Sequence, residues 1–141
     1  MERYVLHAEK EIIEEVFEIR STSDSLFEAS YNIFPGSPMP IIFHDTSREV
    51  KSGIWGICSG KEKINNFSKQ EVEEDSIKKL NLKPCIIPAS GFYLWKQSVE
   101  DNYPFYIRML GREVLGLAGL YHYVEDKNGK KSIEFAVITK A

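Results

Sequence analysis

Two short segments combine aromatic residues with glycine, a composition that suits a surface on which nucleic-acid bases stack. These segments are Ser52-Gly53-Ile54-Trp55-Gly56 and Gly91-Phe92-Tyr93-Leu94-Trp95. Glycine allows another backbone or a ligand to approach closely, and an aromatic ring presents a flat face to a base. The same pattern also suits strands that bury their aromatic side chains and turn at glycine, which is the commoner arrangement for any single aromatic residue. The pattern by itself leaves both interpretations open.

The residue types that most often bind metals or act as nucleophiles are scattered along the chain. The two cysteines are Cys58 and Cys85, the three histidines are His7, His44 and His122, and no CxxC or HExxH motif joins them. No GxSxG, Walker A or glycine-rich dinucleotide motif is present either. We therefore expect no metal site and no cofactor. Cys85 is predicted to be a buried structural thiol, and His122 a residue on the surface of a strand.

The composition suits one globular domain that lies in the cytoplasm. The chain has 141 residues, with 18 Lys and Arg against 21 Asp and Glu, and a formal net charge of -3. This balance excludes a polybasic nucleic-acid arm, so any DNA binding must depend on a local patch. No apolar stretch approaches the roughly 20 residues that span a bilayer, and the N-terminus lacks a secretion signal, so no membrane contact is expected.

The first third of the chain predicts a strand, a helix and a stiff irregular segment. A strand is expected over Arg3–Leu6, and the four-residue spacing of apolar side chains predicts a helix over Ala8–Ile19. Residues 21–25 are expected to form a loop. Tyr31–Pro40 contains three prolines and a glycine, so it is predicted to be irregular.

The rest of the chain predicts one further helix and a series of strands. Ser68 and Glu71 have the spacing of a capping box, which predicts a helix over Lys69–Leu80. Asn128-Gly129 predicts a type I′ hairpin turn. Strands are predicted at Ile41–His44, Gly53–Cys58, Cys85–Ile87, Gly91–Trp95, Tyr103–Met109, Val114–Val124 and Lys131–Ile138. Together these elements indicate one β-rich α+β domain.

Several motifs occur in an order that is characteristic of one family. They are Arg3-Tyr4, YNIFPGSPMPII at 31–42, IWG at 54–56, IN at 64–65, KPCIIPASGFYLW at 83–95, YPFYI at 103–107, LAGLY at 117–121 and FAVIT at 135–139. In this order they resemble the SRAP family, the SOS-response-associated peptidase or abasic-site-processing domain. The resemblance implies a mixed or antiparallel, barrel-like sheet with two or three flanking helices, formed by residues 1–141. The family domain continues past the FAVIT-like strand, so its C-terminal part is expected to be absent.

The resemblance also implies a specific chemistry on damaged DNA. Family members begin Met-Cys-Gly-Arg-Tyr, and removal of Met leaves cysteine at the N-terminus. The amine and thiol of that cysteine attack the aldehyde of an abasic site in single-stranded DNA and form a thiazolidine crosslink. The same cysteine is proposed to remove a leader peptide. An asparagine positions the sugar, while a glutamate and a later histidine transfer protons.

This sequence lacks most of those reactive groups. It begins Met-Glu-Arg-Tyr, so no cysteine follows Met1. Asn65 matches the family asparagine, but Phe67 and Lys69 replace the arginine and glutamate that follow it. Leu94 occupies the position of the catalytic glutamate, and the histidine motif would lie beyond residue 141. The resemblance therefore implies that crosslinking and autopeptidase activity are lost, with Asn65 as the surviving residue of the catalytic set.

DNA binding is the property that the remaining residues are predicted to keep. Arg3, Pro35, Pro40 and Trp55 match family positions along the DNA path, and Asn65 completes the predicted DNA-binding set. We expect weak, sequence-independent binding of single-stranded, abasic DNA. Four lysines occur near these positions in the sequence: Lys51, Lys61, Lys63 and Lys69. They either assist DNA binding or are ordinary solvated surface charges, and we prefer the second interpretation.

Two other hypotheses remain open. The Met1 amine or Lys69 could form a reversible imine with an abasic aldehyde, because an α-amine is partly unprotonated near neutral pH. Alternatively, the protein is a non-enzymatic interaction module. In that case a homodimer or a partner subunit covers a sheet edge that the family domain covers itself.

Overall fold

A computed structural model describes residues 1–19, 29–44, 48–97 and 102–139. These residues form three helices and twelve strands. The predicted loop at 21–25 lies outside them. The helices are α1 (Lys10–Phe17), α2 (Lys69–Val72) and α3 (Asp75–Lys78). The strands are β1 (Arg3–Leu6), β2 (Ser30–Ile33), β3 (Pro38–Phe43), β4 (Val50–Trp55), β5 (Ile57–Ser59), β6 (Glu62–Ile64), β7 (Asn66–Ser68), β8 (Lys83–Ala89), β9 (Gly91–Gln97), β10 (Asn102–Ile107), β11 (Leu115–Glu125) and β12 (Lys131–Thr139).

Five of the strands close into a barrel. Their order is β11-β8-β3-β4-β12, and β12 pairs back onto β11. Most pairs are antiparallel, whereas β12 runs parallel to β4 and to the additional strand β7. Ile41, Trp55, Ile87 and Phe135 are completely buried in the core. The predicted α+β class with a mixed, barrel-like sheet and flanking helices is therefore confirmed.

A second sheet positions the N-terminus against this barrel. Its strand order is β10-β9-β1-β2, so β1 lies between β9 and β2. Tyr4 pairs with Phe92 on one side and with Ile33 on the other. Residues directly opposite each other in antiparallel strands share a face of the sheet. Tyr4 and Ile33 are buried in the main core, and Phe92 packs against that core, so this face of the second sheet is turned inward.

The helices are short because few of their side chains reach the core. Helix α1 buries Ile13 and Phe17 and ends at Phe17, and the capping residue Glu18 that follows has a left-handed φ of 53°. It confirms the predicted helix with each end shortened. Ser68 and Glu71 form the predicted capping box, with Ser68 Oγ accepting from the Glu71 N–H at 3.1 Å. Within the described ranges, no helix has the length and apolar character needed to cross a membrane.

Three predicted elements differ from the structure. Residues 31–40 are not irregular throughout, because β2 ends at Ile33 and β3 begins at Pro38. The prolines of β3 lie before the residues that pair with β8, so their missing N–H groups remove no hydrogen bond on that side. Gly56, with a φ of 125°, divides the predicted strand 53–58 into β4 and β5. The predicted helix 69–80 is interrupted between α2 and α3.

The turn between β11 and β12 also differs from its prediction. A type I′ turn needs positive φ at both Asn128 and Gly129. Gly129 has a φ of 80°, but Asn128 is not among the non-glycine residues with positive φ in the described ranges. The Gly129 N–H donates to the Asp126 carbonyl at 3.0 Å, and Asp126 Oδ1 accepts from the Asn128 and Lys130 N–H groups, each at 2.9 Å. The carboxylate of Asp126 therefore organises a longer turn.

Candidate functional site

Trp55 is buried and contacts Asn65, another residue of the predicted site, as well as Tyr4 and the turn at Gly36 and Ser37. Its ring is 0% exposed and meets the Tyr4 ring edge-on, with centroids 5.3 Å apart. Its carbonyl accepts from the Gly36 N–H at 2.8 Å, and its own N–H donates to the Ser37 carbonyl at 3.1 Å. The indole Nε1 donates to the Asn65 carbonyl at 2.9 Å. Trp55 thus positions its neighbours and presents no solvent-exposed face to a ligand.

Asn65 and its neighbour Asn66 carry side-chain oxygens that have no hydrogen-bond partner in the described part of the chain. Both Oδ1 atoms are buried. Asn66 Nδ2 donates to the Met1 carbonyl at 2.7 Å, which places this residue at the N-terminal end of β1. Buried polar atoms are usually paired, so unpaired oxygens indicate a place where a ligand or water can donate. Asn66 is a candidate site residue that the sequence prediction missed, because its only signal was adjacency to Asn65.

The phenol of Tyr4 is a third buried polar group without a described partner. Burial raises the pKa of Tyr4, and the nearby Cys85 thiol raises it further. The hydroxyl therefore stays protonated and can both donate and accept a hydrogen bond. The Tyr4 ring contacts the Trp55 ring, and the Trp55 indole holds the Asn65 backbone, so Tyr4 supports Asn65 through packing while its hydroxyl lies in the core near Cys85.

Arg3 and the turn after β2 form the exposed border of this region. The Arg3 guanidinium lies over the Phe34 ring, with Cζ 5.4 Å from the ring centroid. Phe34 is 47% exposed, and Pro35 beside it is partly buried. Pro40, in contrast, is buried in β3 opposite Ser52. Of the two prolines predicted to line a DNA path, only Pro35 lies at this border.

Leu94, at the position of the family glutamate, is 43% exposed on β9. It lies two residues beyond Phe92, on the same face of the sheet as Tyr4. Its partner across the hairpin, Phe105, is 51% exposed. This position therefore carries two apolar side chains and no group that transfers protons at neutral pH.

The four lysines that could have supplemented binding are all exposed. Lys51 forms an ion pair with Glu49 at 3.9 Å, in which both side chains are more than half exposed. Lys69 is the first residue of α2 and follows the capping residue Ser68. Exposed lysines of this kind contribute little to stability, which fits ordinary surface charge.

A second polar cluster, at the β11–β12 hairpin, was not predicted from the sequence. His122 Nε2 lies 2.9 Å from Glu134 Oε1, and both side chains are largely buried. The same oxygen accepts from the Cys58 N–H at 3.1 Å. Burial acts to raise the pKa of Glu134, but the hydrogen bonds from His122 and Cys58 outweigh it and lower that pKa. His122 is thus a paired, largely buried residue that, through Glu134, links β11, β12 and β5.

Sequence comparisons connect this arrangement to proteins that process abasic sites. The model of a family described as SOS response associated peptidase (SRAP) matches residues 2–141. The abasic site processing protein YobE of Bacillus subtilis is 29% identical over 149 residues, which cover 97% of this chain and 68% of YobE. The abasic site processing protein HMCES of Xenopus tropicalis is 24% identical, with 85% of this chain and 48% of HMCES covered. The chain therefore spans about two thirds of the first relative and about half of the second.

Solved structures show the same fold. A protein from Bacteroides thetaiotaomicron superposes with a TM-score of 0.82 at 20% identity, covering 99% of this chain and 68% of that one. A protein from Bordetella bronchiseptica gives a TM-score of 0.80 at 18% identity, covering 98% of this chain and 71% of that one. At such identities, these likenesses concern the fold alone.

Proposed function

Because the chain belongs to the SOS response associated peptidase (SRAP) family, we propose that it binds single-stranded DNA at abasic sites without forming a cysteine crosslink. The observation that carries this proposal is the presence of two buried, unpaired side-chain oxygens on the neighbouring residues Asn65 and Asn66. Asn66 lies beside the N-terminal end of β1, because its side chain donates to the Met1 carbonyl next to Arg3, the first residue of the strand. The relatives named abasic site processing proteins support DNA as the ligand.

The unpaired atoms suit a sugar that has lost its base. Each amide oxygen accepts hydrogen bonds, and a ring-opened deoxyribose offers hydroxyl groups that donate them. An unsatisfied buried polar atom costs about 1–3 kcal/mol, so a hydroxyl that reached Asn65 or Asn66 would recover part of that free energy. Trp55 holds the Asn65 backbone in place, which reduces the conformational entropy lost on binding.

Arg3 and Phe34 support a contact with the strand that carries such a sugar. Arg3 is partly exposed, so its guanidinium can pair with a phosphate, and the exposed Phe34 ring beside it can stack on a base. The net charge of -3 provides no general attraction for DNA. Binding is therefore local and weak, and because few phosphates are contacted it depends only modestly on salt.

The residues at the reactive positions support the proposed absence of the crosslink. Matching Arg3-Tyr4 to the family start places Met1, which has no thiol, at the cysteine position. Leu94 carries no carboxylate. Cys58 is exposed on β5 and Cys85 is buried in β8, so neither thiol shares a residue with an N-terminal amine.

Fluorescence anisotropy with labelled oligonucleotides tests the binding proposal. We expect the protein to bind single strands that contain an abasic site more tightly than intact strands. The affinity for both kinds of strand should fall as salt is added. Arg3→Gln should weaken binding several-fold, whereas Lys127→Gln, which removes the same charge from the β11–β12 turn, should not. Absence of binding at low salt would contradict the proposal.

The covalent chemistry needs a separate measurement. Denaturing gels of protein mixed with abasic oligonucleotide should show no crosslinked band. An adduct trapped by borohydride would show that the Met1 amine or Lys69 forms an imine with the abasic aldehyde. The variant Lys69→Gln distinguishes the two amines, because it removes the adduct only if Lys69 forms it. Met1 merits this test because its carbonyl is held by Asn66 beside the unpaired oxygens. A band without borohydride would contradict the loss of crosslinking.

We propose as a second candidate function an interaction module that pairs with another copy of itself. The observation that favours it is the apolar surface of the β9–β10 hairpin, where Leu94 and Phe105 face the same side and are both about half exposed. Apolar surface of this kind favours association. Light scattering should then give a dimer that Phe105→Glu converts to a monomer. A monomeric wild-type protein at high concentration would contradict this candidate.

A further inference from the structure

A cavity of about 320 Å³ lies beyond the C-terminal end of β1. Its six lining residues come from the chain after β1, the β8–β9 junction, β10 and the segment that follows β10: His7, Ser90, Tyr106, Arg108, Arg112 and Glu113. Its volume is in the range of small-ligand sites. None of these residues is one of those with unpaired buried polar atoms described above, Tyr4, Asn65 and Asn66.

The lining carries a net positive charge that the described residues do not neutralise. Neither Arg108 nor Arg112 forms an ion pair or a side-chain hydrogen bond with any residue of the described ranges. Glu113 contributes one negative charge, so two arginines against one glutamate leave a charge of +1. Guanidinium groups match the geometry of phosphate oxygens and can bind two of them at once.

Ser90 supplies a buried hydroxyl whose proton is still available. The side chain is 3% exposed, and its Oγ accepts from the His7 N–H at 2.9 Å and from the Ala8 N–H at 3.3 Å. A serine hydroxyl accepts two hydrogen bonds and donates one. Within the described ranges no residue accepts from this hydroxyl, so its O–H can donate to a ligand in the cavity.

Tyr106 is brought to the cavity by a glycine. A Cβ on Gly91 would lie 2.5 Å from the Tyr106 phenol oxygen and 2.7 Å from the Ile107 carbonyl, so a larger residue could not occupy this position without displacing the phenol. Burial and the nearby Tyr93 raise the pKa of Tyr106, while Arg108 acts to lower it. The net increase keeps the phenol protonated at neutral pH, so it is a donor.

We propose that this cavity binds a phosphate group, with Arg108 and Arg112 contacting its oxygens and the Ser90 and Tyr106 hydroxyls donating to it. This set contains two cations and two neutral donors, which suits a phosphate better than a neutral ligand. The single carboxylate of Glu113 weakens the attraction but does not reverse the sign of the charge.

The position of the cavity indicates that the phosphate belongs to a DNA strand, a step that rests on the proposed function. Arg3 pairs with Tyr93, and Tyr93 pairs with Tyr106, so these three residues share one face of the second sheet. Arg3 and His7 are four residues apart in an extended segment, about 13 Å at roughly 3.3 Å per residue. A single strand that contacts Arg3 could therefore place another of its phosphates in the cavity.

The test compares two double variants of the full chain that each lose two positive charges. One is Arg108→Gln with Arg112→Gln, and the control is Lys127→Gln with Lys130→Gln in the β11–β12 turn. Calorimetric titration with inorganic phosphate should show binding to the wild type and the control, and binding weaker by about tenfold or more in the arginine variant. Tyr106→Phe, which removes only a hydroxyl, should weaken phosphate binding by a smaller factor. Thermal unfolding checks that every variant is folded.

Anisotropy with single-stranded DNA over a range of salt concentrations distinguishes the source of the phosphate. If the phosphate is part of DNA, the arginine variant should flatten the log–log salt dependence by about 0.7 relative to the control. A second outcome is that the protein binds phosphate through the arginines but binds no DNA. That result would support the cavity as a site for free phosphate compounds and would contradict the proposed function. Unchanged phosphate and DNA binding in the arginine variant would overturn the inference while leaving the proposed function intact. A wild type that binds neither ligand would overturn both.

Discussion

The indole Nε1 of Trp55 donates a hydrogen bond to the backbone carbonyl of Asn65 at 2.9 Å. The same carbonyl accepts from the Val137 N–H at 3.0 Å, so two donors from different strands hold the Asn65 backbone. Its side-chain oxygen, in contrast, has no partner among the described residues. A fixed backbone with a free acceptor is a preorganised arrangement for binding, because little freedom is lost when a donor arrives.

Removing the indole donor should destabilise the protein. Trp55→Phe keeps an aromatic ring but loses the hydrogen bond to Asn65 and leaves a small cavity, so we expect a loss of about 2–4 kcal/mol in the free energy of unfolding. Trp95→Phe makes the same substitution at a residue that is 48% exposed and should change this free energy by less than about 0.5 kcal/mol. Urea denaturation measures both, and equal losses would contradict the positioning role of Trp55.

The contact between Gly56 and Asn65 should make Gly56 the more sensitive of two glycines. A Cβ at Gly56 would lie 3.1 Å from Asn65 Oδ1, while one at Gly60 would meet nothing within 4 Å. Both glycines have positive φ, 125° and 64°. Gly60→Ala should cost about 1–2 kcal/mol from backbone strain alone, and Gly56→Ala should cost more. Thermal unfolding compares the two, and a smaller loss at Gly56 would contradict the contact.

The hydrogen bonds to Glu134 predict how stability depends on pH. Because the pKa of Glu134 is lower in the folded state than its ordinary value of 4.5, the carboxylate stabilises the fold above that value. This contribution is lost as the pH falls from 4.5 through the folded pKa. Denaturation of Glu134→Gln should therefore show a deficit relative to wild type at pH 7 that shrinks in acid. Glu125→Gln, in the exposed end of β11, should show no such pH-dependent deficit.

The two thiols should react with alkylating reagents at different rates. Burial raises the pKa of Cys85 to about 12, so its reactive thiolate is scarce in the folded protein. Cys58 is exposed, although the hydrogen bond to Glu134 raises its pKa, with a smaller contribution from burial. Mass spectrometry after iodoacetamide treatment should show Cys58 modified and Cys85 protected, with both modified in urea. Glu134→Gln should speed the reaction at Cys58, and labelling of Cys85 in the folded protein would contradict its burial.

Interactions between residues close in sequence could be predicted from the sequence, whereas the pairing register of the strands could not. The capping box of Ser68 and Glu71 spans three residues and formed as predicted. A two-residue turn at Asn128-Gly129 would have paired His122 with Phe135. The Asp126 carboxylate instead organises a longer turn, which shifts the register by one and pairs His122 with Glu134. A one-residue shift exchanges the faces of a strand, and for that reason the His122 and Glu134 pair was missed.

The sequence by itself determined the family, the β-rich class and most strand positions, because each depends on residue identity or on neighbours a few positions apart. Only the tertiary structure decided that Trp55 is buried and that Asn66 lies beside Met1. Closing the barrel brings β4, β7 and β12 together from distant parts of the chain. The cavity around Ser90 and Arg108 likewise exists only when β1, β9 and β10 pair. Such contacts depend on how whole strands pack together, and no local sequence pattern specifies that packing.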